Sequence, residues 1–352
     1  MRLAITGGCG FIGSAACRAA VDARGWSVLN IDALAYAGRR ENVAMLEGRP
    51  GYTFLHADIA DRARVEDALA AFQPDAILHL AAETHVDRSI DAADAFVRTN
   101  IVGAHALLEA ARSVWRAMPH ERRARFRFVH VSTDEVFGAL GPEGRFTETS
   151  PYRPRSPYAA SKAASDHLAR AWRETYGLPV IVSNCTNNYG PYQFPEKLIP
   201  LSILNALEGK PIAIYGDGGH SRDWLHVDDH VAGLFAILER GAVGETYLFG
   251  GGDERTSLEV AHAICAILDA EQPRRAPHAD LITLAPDRPG HDRRYAADSA
   301  KARAALEWAP QQRFEDGLRE TVRWYIANEA WWRPIREGLY AGRRLGAGAA
   351  QT

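Results

Sequence analysis

The sequence predicts an α/β fold in which a doubly wound parallel sheet is followed by a smaller C-terminal lobe. Three observations predict it. Short apolar runs alternate with longer amphipathic stretches through the first half, a glycine-rich turn directly follows the first run, and the texture changes after Tyr189. Repeated strand–helix–strand units make a parallel sheet covered by helices on both faces. At roughly 150 residues per domain, a chain of 352 residues suggests two domains.

The runs Leu3–Thr6, Ser27–Ile31, Tyr52–His56, Ala76–Leu80 and Arg127–Ser132 read as strands. Between them Ala15–Arg24, Arg62–Phe72 and Ala92–Trp115 carry apolar residues at helical spacing. The charged stretch Pro119–Arg125 reads as a surface loop. Ser156-Pro157 reads as a helix start, with Ser as N-cap and Pro at the first helical position. That helix runs to about Tyr176, and Gly177 stops it. Pro179–Asn184 is a sixth strand. Pro191, Pro195, Pro200, Pro211 and the glycines at 216, 218 and 219 then break the pattern. Val227–Glu239 and Leu258–Leu268 are expected to pack back as helices. The expected units are 1–189, 190–342 and a frayed, disordered Gly/Ala-rich tail at 343–352.

Composition narrows the function. The chain is 47% hydrophobic and 24% charged, with 41 basic and 44 acidic residues and a net charge of −3. These values are ordinary for a globular protein and exclude wholesale disorder or a collagen-like chain. No basic domain exists to hold a nucleic acid. Cys9, Cys17, Cys185 and Cys265 form no CxxC pair, which argues against structural zinc and against a disulfide framework. Strand-like residues from Leu3 leave no room for a signal peptide, and no uncharged apolar run reaches the ~18 residues of a membrane helix. The expectation is a cytoplasmic protein with no membrane partner and no metal.

Three motifs carry chemistry. Gly7, Gly10 and Gly13 follow the first strand and open a helix, where backbone can approach a pyrophosphate at a helix N-terminus. Asp32 ends the second strand about 20 residues on, where an acid accepts from a ribose 2′-hydroxyl and repels a 2′-phosphate; this favours NAD over NADP. Tyr158 and Lys162 share one helix face four residues apart. An ammonium beside a phenol stabilises the phenolate, making a base that takes a proton from an alcohol while hydride leaves its carbon. Lys162 is also in reach of the nicotinamide ribose. Thr133, Asp134 and Glu135 emerge from the C-terminal end of the fifth strand, the edge where doubly wound sheets bind ligands. Thr133 is placed to bond a substrate hydroxyl, and two adjacent carboxyl groups in a dry site divide into one acid and one base.

Together with these sites, several longer runs resemble the dTDP-glucose 4,6-dehydratases from about residue 1 to about residue 335. The runs are Glu83–Ile90, Ser132–Gly138, Tyr158–Asp166, Asn187–Lys197, Arg222–Leu225 and Asp287–Asp292. The resemblance implies a Rossmann-like, extended short-chain dehydrogenase fold. The first unit then binds NAD and carries the catalytic residues, the second binds mainly the sugar nucleotide with some segments packing back, and the assembly is a homodimer. It implies a redox-neutral dehydration of dTDP-glucose with Tyr158 and Lys162 at C4, Glu135 as the C5 base and Asp134 as the acid for the 6-hydroxyl.

The family's cofactor contacts fall on Phe11, Ile12, Asp32, Ala33, Leu34, Ala35, Asp58, Ile59, Leu80, Ala81, Ala82, Glu83, Thr84, Thr99, Tyr158, Lys162 and Asn188. Its substrate contacts fall on Thr84, Thr133, Asn187, Glu196, Lys197, Ile212, Ala213, Ile214, Tyr215, Arg222, Ser257, Asp287, Arg288, Pro289, Gly290 and His291. Arg222 suits a pyrophosphate because its fork matches phosphate oxygens. Cys9, Phe137, His226 and Ser257 stand where the family usually has Ala, Tyr, Tyr and Asn. Ser257 is expected to loosen one contact to the nucleotide, which bears on thymidine-over-uridine selectivity. The rival readings are a UDP-sugar 4-epimerase or UDP-glucuronate decarboxylase, which need no acid to expel a hydroxyl, and a catalytically inert sugar-nucleotide-binding protein.

Overall fold

The computed structural model describes residues 1–340 and 342; the tail expected at 343–352 lies outside them. The strands of the described residues are β1 (Arg2–Thr6), β2 (Ser27–Asp32), β3 (Tyr52–His56), β4 (Ala76–His79), β5 (Arg127–Thr133), β6 (Val180–Cys185), β7 (Asn187–Tyr189), β8 (Ile212–Tyr215), β9 (Ser221–His226), β10 (Thr246–Phe249), β11 (Glu254–Thr256) and β12 (Ile282–Ala285). Seven of them form one parallel sheet in the order β3-β2-β1-β4-β5-β6-β10. The predicted fold class is the observed one. The central strands β4 and β6 are buried at every residue, as expected where helices cover both faces.

The helices are α1 (Phe11–Arg18), α2 (Arg62–Phe72), α3 (Val86–Asp91), α4 (Ala93–Phe96), α5 (Ala104–Ala117), α6 (His120–Arg125), α7 (Pro157–Tyr176), α8 (Leu198–Leu207), α9 (Val227–Arg240), α10 (Ser257–Glu271), α11 (Ala300–Leu306), α12 (Phe314–Ala327) and α13 (Glu329–Pro334). Asp61 caps α2, its carboxylate accepting from the Arg64 N–H. The expected Ala92–Trp115 helix is instead three pieces, with a π-helical turn at Val97–Gly103 between α4 and α5. Pro119–Arg125 was expected as a loop, but α6 forms there. Glu121 lies in its first turn and Arg122, Arg123 and Arg125 in its last, so the charges that suggested solvent also complement the helix dipole.

The core sits on both faces of the sheet. Leu3, Ile5, Val28, Leu78 and Val129 meet Leu234, Phe235 and Ile237 of α9 on one face. Ile77, Phe128 and Val182 meet Leu69 of α2 and Leu107, Leu108 and Val114 of α5 on the other. A separate core joins Ile203 of α8, Ile212 and Ile214 of β8, Ile264 of α10 and Leu318 and Val322 of α12. Thus α9 packs back on the sheet as expected, whereas α10 does not. It packs on α8 and α12 because Val260, Ala261, Ile264 and Leu268 point into the second core. β7 and β11 flank β9, and β8 pairs with β12, in two small sheets beside the main one.

α7 starts at the predicted residue. Ser156 Oγ accepts from the Ala159 N–H at 3.1 Å, Pro157 is the first helical residue, and Gly177 ends the helix at φ 74°. Ser156→Ala is expected to cost roughly 0.5–2 kcal/mol in urea unfolding; an unchanged midpoint would remove the cap from the forces that fix α7.

Candidate active site

The glycine turn closes on the backbone of β4. Gly7 has φ +74°, and a Cβ there would lie 2.7 Å from the Ala81 backbone; on Gly13 it would lie 2.1 Å from the Gly7 carbonyl. Only glycine allows this approach. Gly10 caps α1 without a side-chain bond, which leaves first-turn N–H groups available for an anion. Asp32 fixes the turn from below. Its carboxylate accepts from the Cys9 N–H at 2.8 Å and the Leu34 N–H at 2.7 Å, and each oxygen retains a lone pair for a further donor.

These residues line a cavity of about 340 Å³ at the C-terminal edge of the sheet. Gly7, Gly10, Phe11, Ile12, Gly13, Asp32, Ala33, Ala35, Asp58, Ile59, Leu80, Ala81, Ala82, Glu83, Thr84, Thr99 and Asn188 all lie on its wall, with Thr133, Asp134, Glu135, Tyr158 and Lys162 at one end. A second cavity of about 430 Å³ adjoins it, walled by Ile212, Ala213, Tyr215, Arg222, Ser257, Arg288 and His291. Glu135, Asn187, Asn188, Glu196 and Lys197 belong to both. The remaining predicted residues stand off these walls. Leu34 packs on the core, Ile214 is buried in the second core, and Asp287, Pro289 and Gly290 form the supporting loop, where a Cβ on Gly290 would meet the Arg155 carbonyl at 2.9 Å.

Two internal clamps hold the edge. Asn100, on the π-helical turn, accepts from the Glu83 N–H at 2.9 Å and donates to the Glu83 carbonyl at 3.0 Å and to Ser161 Oγ at 2.8 Å. On the buried face of α7, the Asp166 carboxylate bonds His130 Nε2 at 3.0 Å and the Tyr152 hydroxyl at 2.7 Å. Asn184 donates to the Thr133 carbonyl at 2.9 Å.

The Thr133 hydroxyl caps the short turn Asp134–Phe137, accepting from the Glu135 N–H at 3.2 Å. Asp134 is 2% exposed and its Oδ2 is buried without a partner. Burial, then the neighbouring Glu135, push its pKa well above the usual carboxylate range. Glu135 is also raised by burial, but Arg288, Arg222 and Lys197 all oppose that. The pair is therefore divided, with Asp134 the better holder of a proton.

Lys162 Nζ donates to the Val131 carbonyl at 2.8 Å. Burial lowers its pKa, and Asp166 opposes that. Tyr158 departs from the expectation of a phenol softened by ammonium: burial, then Glu135, hold it well above its usual range. The physical reason is first the burial of the phenol and then this carboxylate, distant in sequence from the Tyr–Lys pair.

The wall includes residues to which no role was attached. His85, Arg88, Gln193 and Phe194 face the first cavity and Asp87 and Trp224 the second; all lie inside the runs that carry the family resemblance. Tyr36, Tyr295 and Tyr340 also line the walls and carry no local signal. Ser257 lies on the second wall, its hydroxyl donating to the His220 carbonyl at 3.3 Å. His220, Asp287 and His291 bring three ligand-type atoms within 4.8 Å of one another. The two imidazoles stack, however, with centroids 3.7 Å apart and planes 12° from parallel. A cation in one ring plane would lie off the other. The group is a hydrogen-bonded chain in which Asp287 fixes His291 at 2.6 Å.

Over 99% of its length the chain is 54% identical to a dTDP-glucose 4,6-dehydratase of Neisseria meningitidis serogroup B, of which it covers 99%. The chain belongs to the dTDP-glucose 4,6-dehydratase family. It is 51% identical to the Escherichia coli K12 dTDP-glucose 4,6-dehydratase 1, with 97% of each chain covered. The family model described as GDP-mannose 4,6 dehydratase matches residues 4–321. Among solved structures, a Streptomyces venezuelae dTDP-glucose 4,6-dehydratase with NAD bound superposes at a TM-score of 0.87 with 44% identity, covering 95% of this chain and 100% of that one. A Thermus thermophilus UDP-glucose 4-epimerase complexed with NAD shares the fold at a TM-score of 0.82 and 32% identity, covering 93% and 100%.

Glu196, between the two cavities, gives a pH signature to this family member. Burial pushes its pKa from 4.5 up to about 7, against Lys197 and the Tyr36 hydroxyl. A carboxyl raised in the folded state stabilises the fold in its protonated form. Its contribution is full below pH 4.5 and is lost as pH rises to about 7. Wild type is expected to lose stability across that window and Glu196→Gln to lose less, read from urea midpoints at a series of pH values. Parallel curves would overturn the assignment.

Proposed function

We propose that the chain is an NAD-dependent dTDP-glucose 4,6-dehydratase, converting dTDP-glucose to dTDP-4-keto-6-deoxyglucose and water. The observation that carries this reading is the divided carboxyl pair Asp134–Glu135 beside Tyr158, open to a second cavity walled by Arg222 and Arg288. The glycine turn and the α1 N-terminus fit the pyrophosphate of NAD, and Asp32 fits a ribose hydroxyl. When bound there, NAD would supply the hydride acceptor for C4 and the hydride donor for C6.

Tyr158 takes the proton of the 4-hydroxyl, with Thr133 bonding that oxygen and Lys162 holding positive charge beneath the site. The 4-ketone acidifies C5, and Glu135, whose charged form Arg288, Arg222 and Lys197 favour against burial, removes the C5 proton. Asp134 protonates the departing 6-hydroxyl, and protonated Glu135 returns a proton to C5 as the electron pair is restored at C6. Its partnerless buried Oδ2 suits a ligand oxygen. Arg222 and Arg288 take the diphosphate, and the Ile212–Tyr215 strand and Ser257 border the nucleotide. A 4-epimerase or decarboxylase would have no use for a buried acid at Asp134.

The proposed assembly is a homodimer through α5 with its preceding π-helical turn and α7, where Val97 and Val102 of the turn and Tyr176 of α7 are 48%, 52% and 43% exposed. No helix of the described residues is long and apolar enough to cross a membrane. The proposed compartment is the cytoplasm, in keeping with four buried unpaired cysteines.

Purified protein is expected to release water from dTDP-glucose and to act more slowly on UDP-glucose, followed by mass and ketone detection; turnover of neither sinks the reading. Asp134→Asn is expected to spare C4 oxidation while slowing loss of the 6-hydroxyl by roughly 10²–10⁴-fold, so that the absorbance of reduced cofactor persists. Tyr158→Phe is expected to retain bound cofactor and show no such absorbance. Val102→Asp is expected to yield monomers in sedimentation; a monomeric wild type would refute the dimer.

A further inference from the structure

The geometry points to Asp87 as a positioning residue for the substrate diphosphate, acting through Arg288 and Tyr215. This rests on the function proposed above, in which the second cavity takes the sugar nucleotide.

Asp87 lies on α3, within the Glu83–Ile90 run, and the dehydration chemistry makes no use of it. It is 5% exposed and on the wall of the second cavity. One carboxylate oxygen accepts from Arg288 Nη1 at 2.6 Å and the other from the Tyr215 hydroxyl at 3.0 Å. Both donors come from the second lobe, one from the loop after β12 and one from the end of β8, and both line the same cavity. The contact thus crosses from the sheet domain to the substrate lobe. The rest of the Arg288 fork is loosely held: its Nε is buried with no hydrogen-bond partner.

The next residue binds the other cavity. Arg88 donates to Glu83 at 3.2 Å and lies 3.7 Å from the centre of the Tyr36 ring, and both of these partners line the first cavity. The short helix α3 therefore carries adjacent residues to the two cavities.

An arginine side chain has many rotamers, and ordering it on binding opposes affinity. Asp87 orders the guanidinium and the phenol before ligand arrives. A carboxylate beside a phosphate-binding arginine also weakens attraction to an anion. The two effects have opposite signs, so removing the carboxylate separates them: positioning predicts weaker binding, and charge alone predicts tighter binding.

The test measures dTDP affinity by calorimetry and dTDP-glucose turnover on the NAD-loaded protein. Asp87→Asn is expected to raise the dTDP Kd and the dTDP-glucose KM about tenfold while kcat stays within about twofold, and to add much less in an Arg288→Ala background, where only the Tyr215 arm remains to lose. Unchanged or tighter binding, or an equal loss with and without Arg288, overturns the role. If Asp87→Asn fails to fold, Tyr215→Phe removes one arm alone and is expected to give a smaller rise in KM at unchanged kcat; no rise overturns the role. A wild type that neither binds dTDP nor dehydrates dTDP-glucose overturns the function and this role with it. A wild type that does both, matched by Asp87→Asn, overturns this role alone.

Discussion

Two carboxyl groups buried side by side are tolerable only if something opposes their charge. Here the opposition comes from across the molecule. Asp134 and Glu135 sit at the end of β5 in the sheet domain, whereas Arg222 and Arg288 arrive from β9 and the loop after β12. Each half alone would leave like charges in a medium that cannot screen them. The cavity between the lobes is therefore an electrostatic necessity as well as a binding site. The same arrangement gives the two carboxyl groups different surroundings: Arg288, Arg222 and Lys197 act on Glu135, whereas Asp134 meets Arg222 and the Glu135 carboxylate.

The sheet domain was legible because its strands, the edge strand β3 apart, are mostly buried on both faces and so read as continuous apolar runs. β1 to β6 fall within a residue or two of their predicted bounds. β10 was not legible. Its four residues sit in Gly-rich texture, and they become a strand only by pairing with Val182–Cys185, far back in the chain. The π-helical turn at Val97–Gly103 leaves no compositional trace, because an extra residue per turn changes no residue type. α6 was hidden by its charges, which suit a loop and a helix end equally.

The site divides along the same line. Thr133, Asp134, Glu135, Tyr158 and Lys162 were legible because each lies in a local motif, and the fold brings them to one edge. What the motifs could not convey is how the side chains act on one another. The Tyr158 pKa is raised by burial first and then by Glu135, a residue of another element. Tyr36 and Tyr340 reach the walls only through tertiary approach. The fold alone does not settle the chemistry either, since an epimerase superposes nearly as well as the dehydratases; in the proposed reading the acid at the end of β5 makes the distinction.

The π-helical turn between α4 and α5 makes one long helix serve two masters. Thr99 looks into the first cavity, Asn100 grips the Glu83 backbone, and four residues later the chain resumes α-helical phase to present Leu107 and Leu108 to the sheet. An ordinary helix advances about 100° per residue, so loss of a single residue there would rotate one of these faces away from its target. The segment is thus a phase shifter whose length is fixed by two targets at once.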